Sequence, residues 1–213
     1  PMLLRSPAQI DAAVAALEVR YLANPDPYLH FALLTDFTDA PQPTLPEDEG
    51  LLNHVRQHIQ ALNQRINGDS RGSIFFLFHR ERRWNEREGC WMGYERKRGK
   101  LAALNAFLLG QDPDAFDVIA GRRAVLSNIR YVITLDLDTQ LPPGSATQLI
   151  GTLAHPLNQA VYDPICQRVV AGYGILQPRI AEQIPEQGLN AYLRVCATEC
   201  GLDPYTRTVS DVY

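Results

Sequence analysis

Apolar residues at Ile10, Ala13, Val14, Leu17 and Tyr21 keep the three-four spacing that gives a helix one buried stripe. Ser6-Pro7-Ala8-Gln9 marks its start with a capping hydroxyl, a proline at the first helical position and a glutamine three residues after the cap. After the turn at Asn24-Pro25-Asp26-Pro27, the run Leu29 to Leu34 predicts a buried strand that ends in Thr35-Asp36-Phe37-Thr38-Asp39. Leu52, Val55, Ile59, Leu62 and Ile66 predict a second helix up to Asn67-Gly68, and Ser73 to His79 a second buried strand, short and rich in aromatics. Leu101 to Leu109 reads as helix closed by Gly110, and Arg130 to Leu135 as a strand running straight into Asp136-Leu137-Asp138-Thr139. Pro142 and Pro143 open a helix through Leu153, Arg168 to Ala171 and Ile175 to Gln177 read as extended, and Asn190 to Cys200 as a last helix. This alternation predicts an α/β fold with a mostly parallel central sheet flanked by helices, without internal repeats.

Composition narrows the function classes. The 213 residues are 46% hydrophobic and 21% charged, which excludes disordered and coiled-coil chains and leaves enough apolar mass for a core. Lys and Arg total 20 against 24 acids, a formal charge of −4, so no global positive field exists to hold a nucleic-acid backbone. Cys90, Cys166, Cys196 and Cys200 form no C-x-x-C pair and are too sparse for a disulfide framework. Cys196 and Cys200, four apart on a predicted helix, read as small packing residues. No apolar run reaches the length of a membrane span, so the chain is expected to be soluble, and it is read as a piece of a longer protein.

Both acidic clusters follow predicted strands, where loops diverge and open α/β sheets bind their ligands. In Asp136-x-Asp138 the two-residue period of an extended chain sends both carboxylates the same way, a pattern that suits a shared hard cation with room for phosphate oxygens. The stretch Arg80 to Lys100 is locally basic, and Gly99-Lys100 ahead of a helix offers free backbone N–H groups and an ammonium to an anion. Taken alone, these acids also fit simple helix caps, and the basic stretch a solvated surface paired to Glu81, Glu86, Glu88 and Glu95. Trp84 and Trp91 read as packing residues. His54 and His58, though four apart, lack the partner acid of a zinc-protease motif and are assigned no site.

In combination the segments are more specific. Thr35 to Asp39, Gly99 to Asn105 and Leu135 to Thr139 occur in the order and approximate spacing of processive GT-A glycosyltransferases. The strings Glu81 to Lys100, Gly151 to Asn158 and Gly172 to Arg179 closely resemble the cyclic β-1,2-glucan synthases, glycosyltransferase family 84, and the likeness runs from about Leu29 to Tyr213. Leu137 departs from the small residue usual there.

The resemblance implies a GT-A-like nucleotide-sugar-binding domain, a UDP-glucose donor, Mg²⁺ or Mn²⁺, and inverting transfer of glucose to a growing β-1,2-glucan. On this basis Asp36, Asp39, Lys100 and Asp136 are expected on the donor, Asp138 on the metal, and Gln177 and Arg179 toward the glucan acceptor. Residues 1–213 are expected to form a single glycosyltransferase domain, incomplete on its C-terminal side. Residues 29–139 would be its nucleotide-sugar half and 140–213 the start of its acceptor half. The resemblance also implies that the general base lies beyond Tyr213, leaving the piece inactive alone, and that the parent is a polytopic protein with this part at the cytoplasmic face of the bacterial inner membrane. Two alternatives stand: a haloacid-dehalogenase-like phosphatase using Asp136 and Asp138, although Gln140 breaks its usual pattern, and a non-catalytic nucleotide- or glucan-binding domain.

Overall fold

The computed structural model describes residues 1–67 and 73–178. The predicted helix at Asn190 to Cys200, with Cys196 and Cys200, and the acceptor candidate Arg179 lie outside the described residues. The chain divides into two compact units, Pro1–Ile150 and Gly151–Tyr213.

In the first unit a four-stranded sheet has the order β1 (Met2–Leu4), β2 (Phe31–Phe37), β3 (Phe75–Arg80) and β6 (Val118–Ala120). The first three strands are parallel and β6 runs antiparallel to β3. Between them stand α1 (Pro7–Ala23), α2 (Asp48–Asn67), the hairpin β4 (Arg83–Asn85) and β5 (Cys90–Met92), and α3 (Arg96–Leu108). The Ser6 hydroxyl accepts a hydrogen bond from the Gln9 amide, so α1 starts where its capping sequence predicts.

β3 shows why this sheet is stable. Successive side chains point to opposite faces, and here every face is covered: Phe75 and Leu77 join a core with Ile10, Leu17, Val55 and Ile59 of α1 and α2, while Phe76 and Phe78 join Leu104, Phe116 and Leu126 on the other side. Each such buried side chain contributes roughly 1.5–3 kcal/mol of transfer free energy. The same alternation sorts the polar residues. On β2 and β3, Thr35 and His79 are register partners, Asp36 and Arg80 are the next pair, and the two pairs face opposite sides of the sheet.

Three expectations need correction. Arg130 to Leu135 is not a strand; it makes no ladder among the described residues. β1 is only three residues long and pairs with Thr35 to Phe37, so the Phe31 to Leu34 edge of β2 gains no partner from it. Residues 128–137 lie along that side and line an apolar cavity of about 510 Å³ together with Ala32, Leu34, Leu101 and Leu104. An apolar, β-branched run becomes a strand only where an edge in register accepts it. Second, β2 extends to Phe37, so Asp36 lies inside the strand and not past its end. Third, α3 begins at Arg96, and the Gly99 amide already donates to Glu95 O at 3.1 Å, so the free N–H groups expected at Gly99-Lys100 do not exist.

α4 (Ser145–Ala154) fits the helix predicted after Pro142 and Pro143. In the second unit, β7 (Val161–Asp163) and β8 (Arg168–Ala171) form a hairpin, and Ile175 to Gln177 joins no ladder. Gly172 sits at φ 69°, with Gln159 O 1.9 Å from where a Cβ would stand; any side chain here would break the turn. Among the described residues, no helix is long and apolar enough to cross a membrane.

Candidate functional site

Three charged residues that are scattered along the sequence meet, two of them because of the strand register. Asp36 and Arg80, opposite each other on β2 and β3, form a two-pronged ion pair at 2.9 and 3.0 Å. Lys100, one turn into α3, brings its Nζ to 3.0 Å from Asp36 Oδ2 and donates to Met2 O at 2.7 Å. Asp36 is fully buried and Lys100 is 2% exposed, so this is an interior charge cluster. Burial pulls the Lys100 pKa down, and the Asp36 carboxylate opposes that pull. One carboxylate between two cations leaves the trio with a residual positive charge.

The hairpin following Arg80 closes over this trio because of a glycine. A Cβ on Gly93 would stand 2.5 Å from the Asp36 carboxyl, so only glycine lets the backbone approach. Next come Glu95 and Arg96, both left-handed at φ 52° and 49°, a conformation that non-glycine residues adopt at a cost. That kink turns the chain into α3 and sets Arg96 and Lys97 on the rim.

The result is a cleft of about 480 Å³ at the carboxyl ends of β1 and β2, with Asp36 and Lys100 in its lining and Asp39, Arg96 and Lys97 around it. Such a position is where parallel sheets bind ligands. Arg96 bridges Asp39 at 3.0 Å and Glu88 at 2.6 Å. Lys97 pairs with Asp136 Oδ1, which ties the second acidic loop to the rim. Asp36, Asp39 and Lys100 therefore meet at one cleft, with Asp136 joined to it through Lys97. Asp138 is exposed two residues farther along the same loop. Gln177 lies in the second unit and is exposed.

The basic stretch is a solvated surface only in part: Arg83, Arg87, Arg96, Lys97 and Arg98 are exposed, with Arg96 paired to Glu88 and Arg98 to Glu95, whereas Lys100 and two arginines are buried. Arg80 and Arg82 are buried, and Arg82 forms an ion pair with Asp48 and stacks its guanidinium 4.9 Å above the Phe37 ring. Arg96 and Lys97 reach Asp39 and Asp136, and Arg98 pairs locally with Glu95. Trp84 and Trp91 face each other across the hairpin at 6.0 Å, with Trp84 half exposed.

Arg20 was not singled out by its sequence context. From the last turn of α1 it donates to the carbonyls of Leu137 and Thr139 at 2.8 Å and of Asp136 at 3.4 Å. Asn24, one turn on, donates to Leu141 O at 3.2 Å and accepts from the Ala146 amide. The acidic loop thus hangs from the end of α1. It does not leave a sheet strand, so the strand-end geometry argued for Asp136 and Asp138 does not hold for a transferase or for a phosphatase. Burial lowers the Arg20 pKa, and carbonyl dipoles instead of a carboxylate meet its charge.

The donor set bears on the implied cation. Asp136 and Asp138 belong to no group of three ligand-type side chains with atoms within 4.8 Å of one another among the described residues. A cation here would meet two carboxylates on an exposed loop, one of them already paired with Lys97, and would have to bring its remaining oxygen ligands with it.

No protein-family model matches the sequence. The whole chain is 42% identical over 214 aligned residues to a segment of the cyclic beta-(1,2)-glucan synthase NdvB of Rhizobium meliloti (strain 1021). The chain spans 8% of that protein's length. It is a homologue of that segment of a glucan synthase.

Proposed function

We propose that the Pro1–Ile150 unit is the donor-binding part of a GT-A-like glucosyltransferase that takes glucose from UDP-glucose to build β-1,2-glucan. The observation that carries the reading is the cleft at the ends of β1 and β2, where Asp36, Asp39 and Lys100 meet and Lys97 joins Asp136 to the rim. Homology to a segment of a cyclic beta-(1,2)-glucan synthase supports glucose as the sugar and the β-1,2 linkage in this reading.

In this reading the chain's own groups divide the work. Lys97 and Arg96, on the rim, meet the diphosphate, and the buried Lys100 and Arg80 add a positive potential from beneath that is worth more in a dry floor than in water. Asp36 holds those two cations in place and forms the floor near the nucleoside. Asp39 lies beside Arg96, where a ribose hydroxyl can exchange with the ion pair. Arg20 fixes the backbone of the acidic loop, so that Asp136 and Asp138 are presented without waiting for the loop to order. Asp138, helped by Asp136, would hold Mg²⁺ or Mn²⁺, and such a cation supplies Lewis-acid stabilisation to a departing diphosphate. Gln177 and Arg179 remain the proposed acceptor-side residues.

The test is calorimetric titration of UDP in the presence and absence of Mn²⁺. Asp138→Asn is expected to weaken Mn²⁺-dependent UDP binding at least about tenfold, or about 1.4 kcal/mol. Equal affinities in parent and variant would remove Asp138 from the metal, and no UDP binding in either would remove the reading itself.

A further inference from the structure

A second constellation lies on α1 and α2. His54 and His58, four residues apart, lie one turn from each other on α2 with their rings edge to face, centroids 4.2 Å apart. α1 places Asp11 opposite them. His54 Nε2 is 2.7 Å from Asp11 Oδ1, and His58 Nδ1 is 3.0 Å from the same oxygen. The two histidines are partly exposed, and Asp11 is about half exposed.

An ordinary hydrogen-bonded pair accounts for only one of these contacts. His54 bonds the carboxylate. His58 Nδ1 is shielded from solvent and close to the oxygen, yet it forms no hydrogen bond. Three ligand atoms of the right kind, two imidazole nitrogens and one carboxylate oxygen, thus lie within 4.8 Å of one another, with one nitrogen unsatisfied.

The geometry points to a binding site for a borderline-soft divalent transition ion, Zn²⁺ in the first place, held by Asp11, His54 and His58. Bonds of about 2.0–2.2 Å at tetrahedral angles set neighbouring ligand atoms about 3.3 Å apart. The separations of 2.7 and 3.0 Å need to open by only a few tenths of an ångström, which partly exposed side chains do by small rotations. The ion would replace the hydrogen bond between His54 and Asp11 and give the unpartnered Nδ1 of His58 a partner. Three protein ligands leave the fourth position to water. Two imidazoles select Zn²⁺, Ni²⁺ or Cu²⁺ over Mg²⁺ and Mn²⁺, so this site differs in chemistry from the hard-cation role proposed for Asp138 and is independent of it. It joins α1 to α2.

The experiment is titration of the chelator-treated 213-residue chain with Zn²⁺, with Mg²⁺ as control, and with Co²⁺ as a spectroscopic probe of ligand geometry. One equivalent of Zn²⁺ is expected, no Mg²⁺ uptake at this site, and visible Co²⁺ bands of tetrahedral intensity. His54→Ala and His58→Ala are each expected to weaken Zn²⁺ binding at least about tenfold. The double variant is expected to lose the Co²⁺ bands, with circular dichroism showing that it still folds. Absence of a Zn²⁺ equivalent in the parent chain overturns the site. So does unchanged Zn²⁺ affinity in the double variant, which would place the ion elsewhere, for example at Asp39, Glu88 and Cys90.

Discussion

The buried His79 makes the fold sensitive to mild acid. Its side chain is fully buried, its ring lies 4.3 Å from that of Phe37, and its Nδ1 is 2.9 Å from Thr35 Oγ1. Thr35 Oγ1 also donates to Phe78 O at 3.3 Å, so the arrangement that satisfies both has the His79 Nδ1–H donating to the hydroxyl. Nε2 then carries a lone pair with no partner, a tolerable state for a neutral ring and a poor one for a cation. Burial is the main cause that lowers the pKa to about 4; Asp36 and Asp117 pull it back up, and Lys100 adds to the lowering. A depressed histidine favours the neutral form in the fold, so its contribution is fully present above the unfolded value near 6.5 and is lost as pH falls toward 4. The shift corresponds to about 3 kcal/mol, of which about 2 kcal/mol disappears between pH 7.5 and 5. Burial also lowers the pKa of His30, which adds loss in the same direction, so the informative quantity is a difference between proteins. Urea unfolding across pH 5–7.5 should give a stability difference between the parent chain and His79→Phe that shrinks by about 2 kcal/mol as pH falls. An identical pH dependence in the two proteins, or a His79 ring signal titrating near pH 6.5 by NMR, refutes the argument.

Two further outcomes follow from the site. Asp36→Asn leaves Arg80 and Lys100 facing each other without a counter-charge and should cost about 3–5 kcal/mol in urea unfolding at neutral pH; a loss under about 1 kcal/mol would mean that water reaches the trio. Arg20→Lys keeps the charge but loses the fork that spans Leu137 and Thr139, so amide hydrogen exchange in residues 136–140 should speed up at least about tenfold while the β3 amides keep their protection; equal exchange would remove Arg20 as the support of the acidic loop.

What the sequence disclosed follows the range of the interactions involved. α1 was legible from Ser6, Pro7 and Gln9 because a cap is settled within four residues. β3 was legible because a strand covered on both faces has to be apolar throughout. β1 escaped notice because Met2–Leu4 offers three residues and no alternation to read. Arg130 to Leu135 misled for the opposite reason: its composition suits a strand, but pairing depends on an edge that composition does not reveal. The arginines were hardest. Arg80 and Arg82 sit among glutamates in sequence, yet their partners Asp36 and Asp48 lie 44 and 34 residues back.

The clustering of Asp36, Arg80 and Lys100 becomes a derivable result once one register is known. Pairing Phe31 with Phe75 puts Asp36 opposite Arg80 five residues later, on the side away from His79. α3 covers that side, and Lys100 is the residue of its second turn that reaches the pair. Two of the three groups are thus fixed by sheet periodicity and the third by the position of the kink at Glu95 and Arg96. The excess cation would be costly if fully enclosed, since no second carboxylate lies within ion-pair distance of it among the described residues. It is tolerable because carbonyl dipoles meet both cations: Lys100 donates to Met2 O, and Arg80 to the carbonyls of Tyr94 and Arg96. That buried trio lies beneath the rim formed by Arg96 and Lys97, and in the proposed reading an anionic ligand in the cleft would meet its residual positive charge.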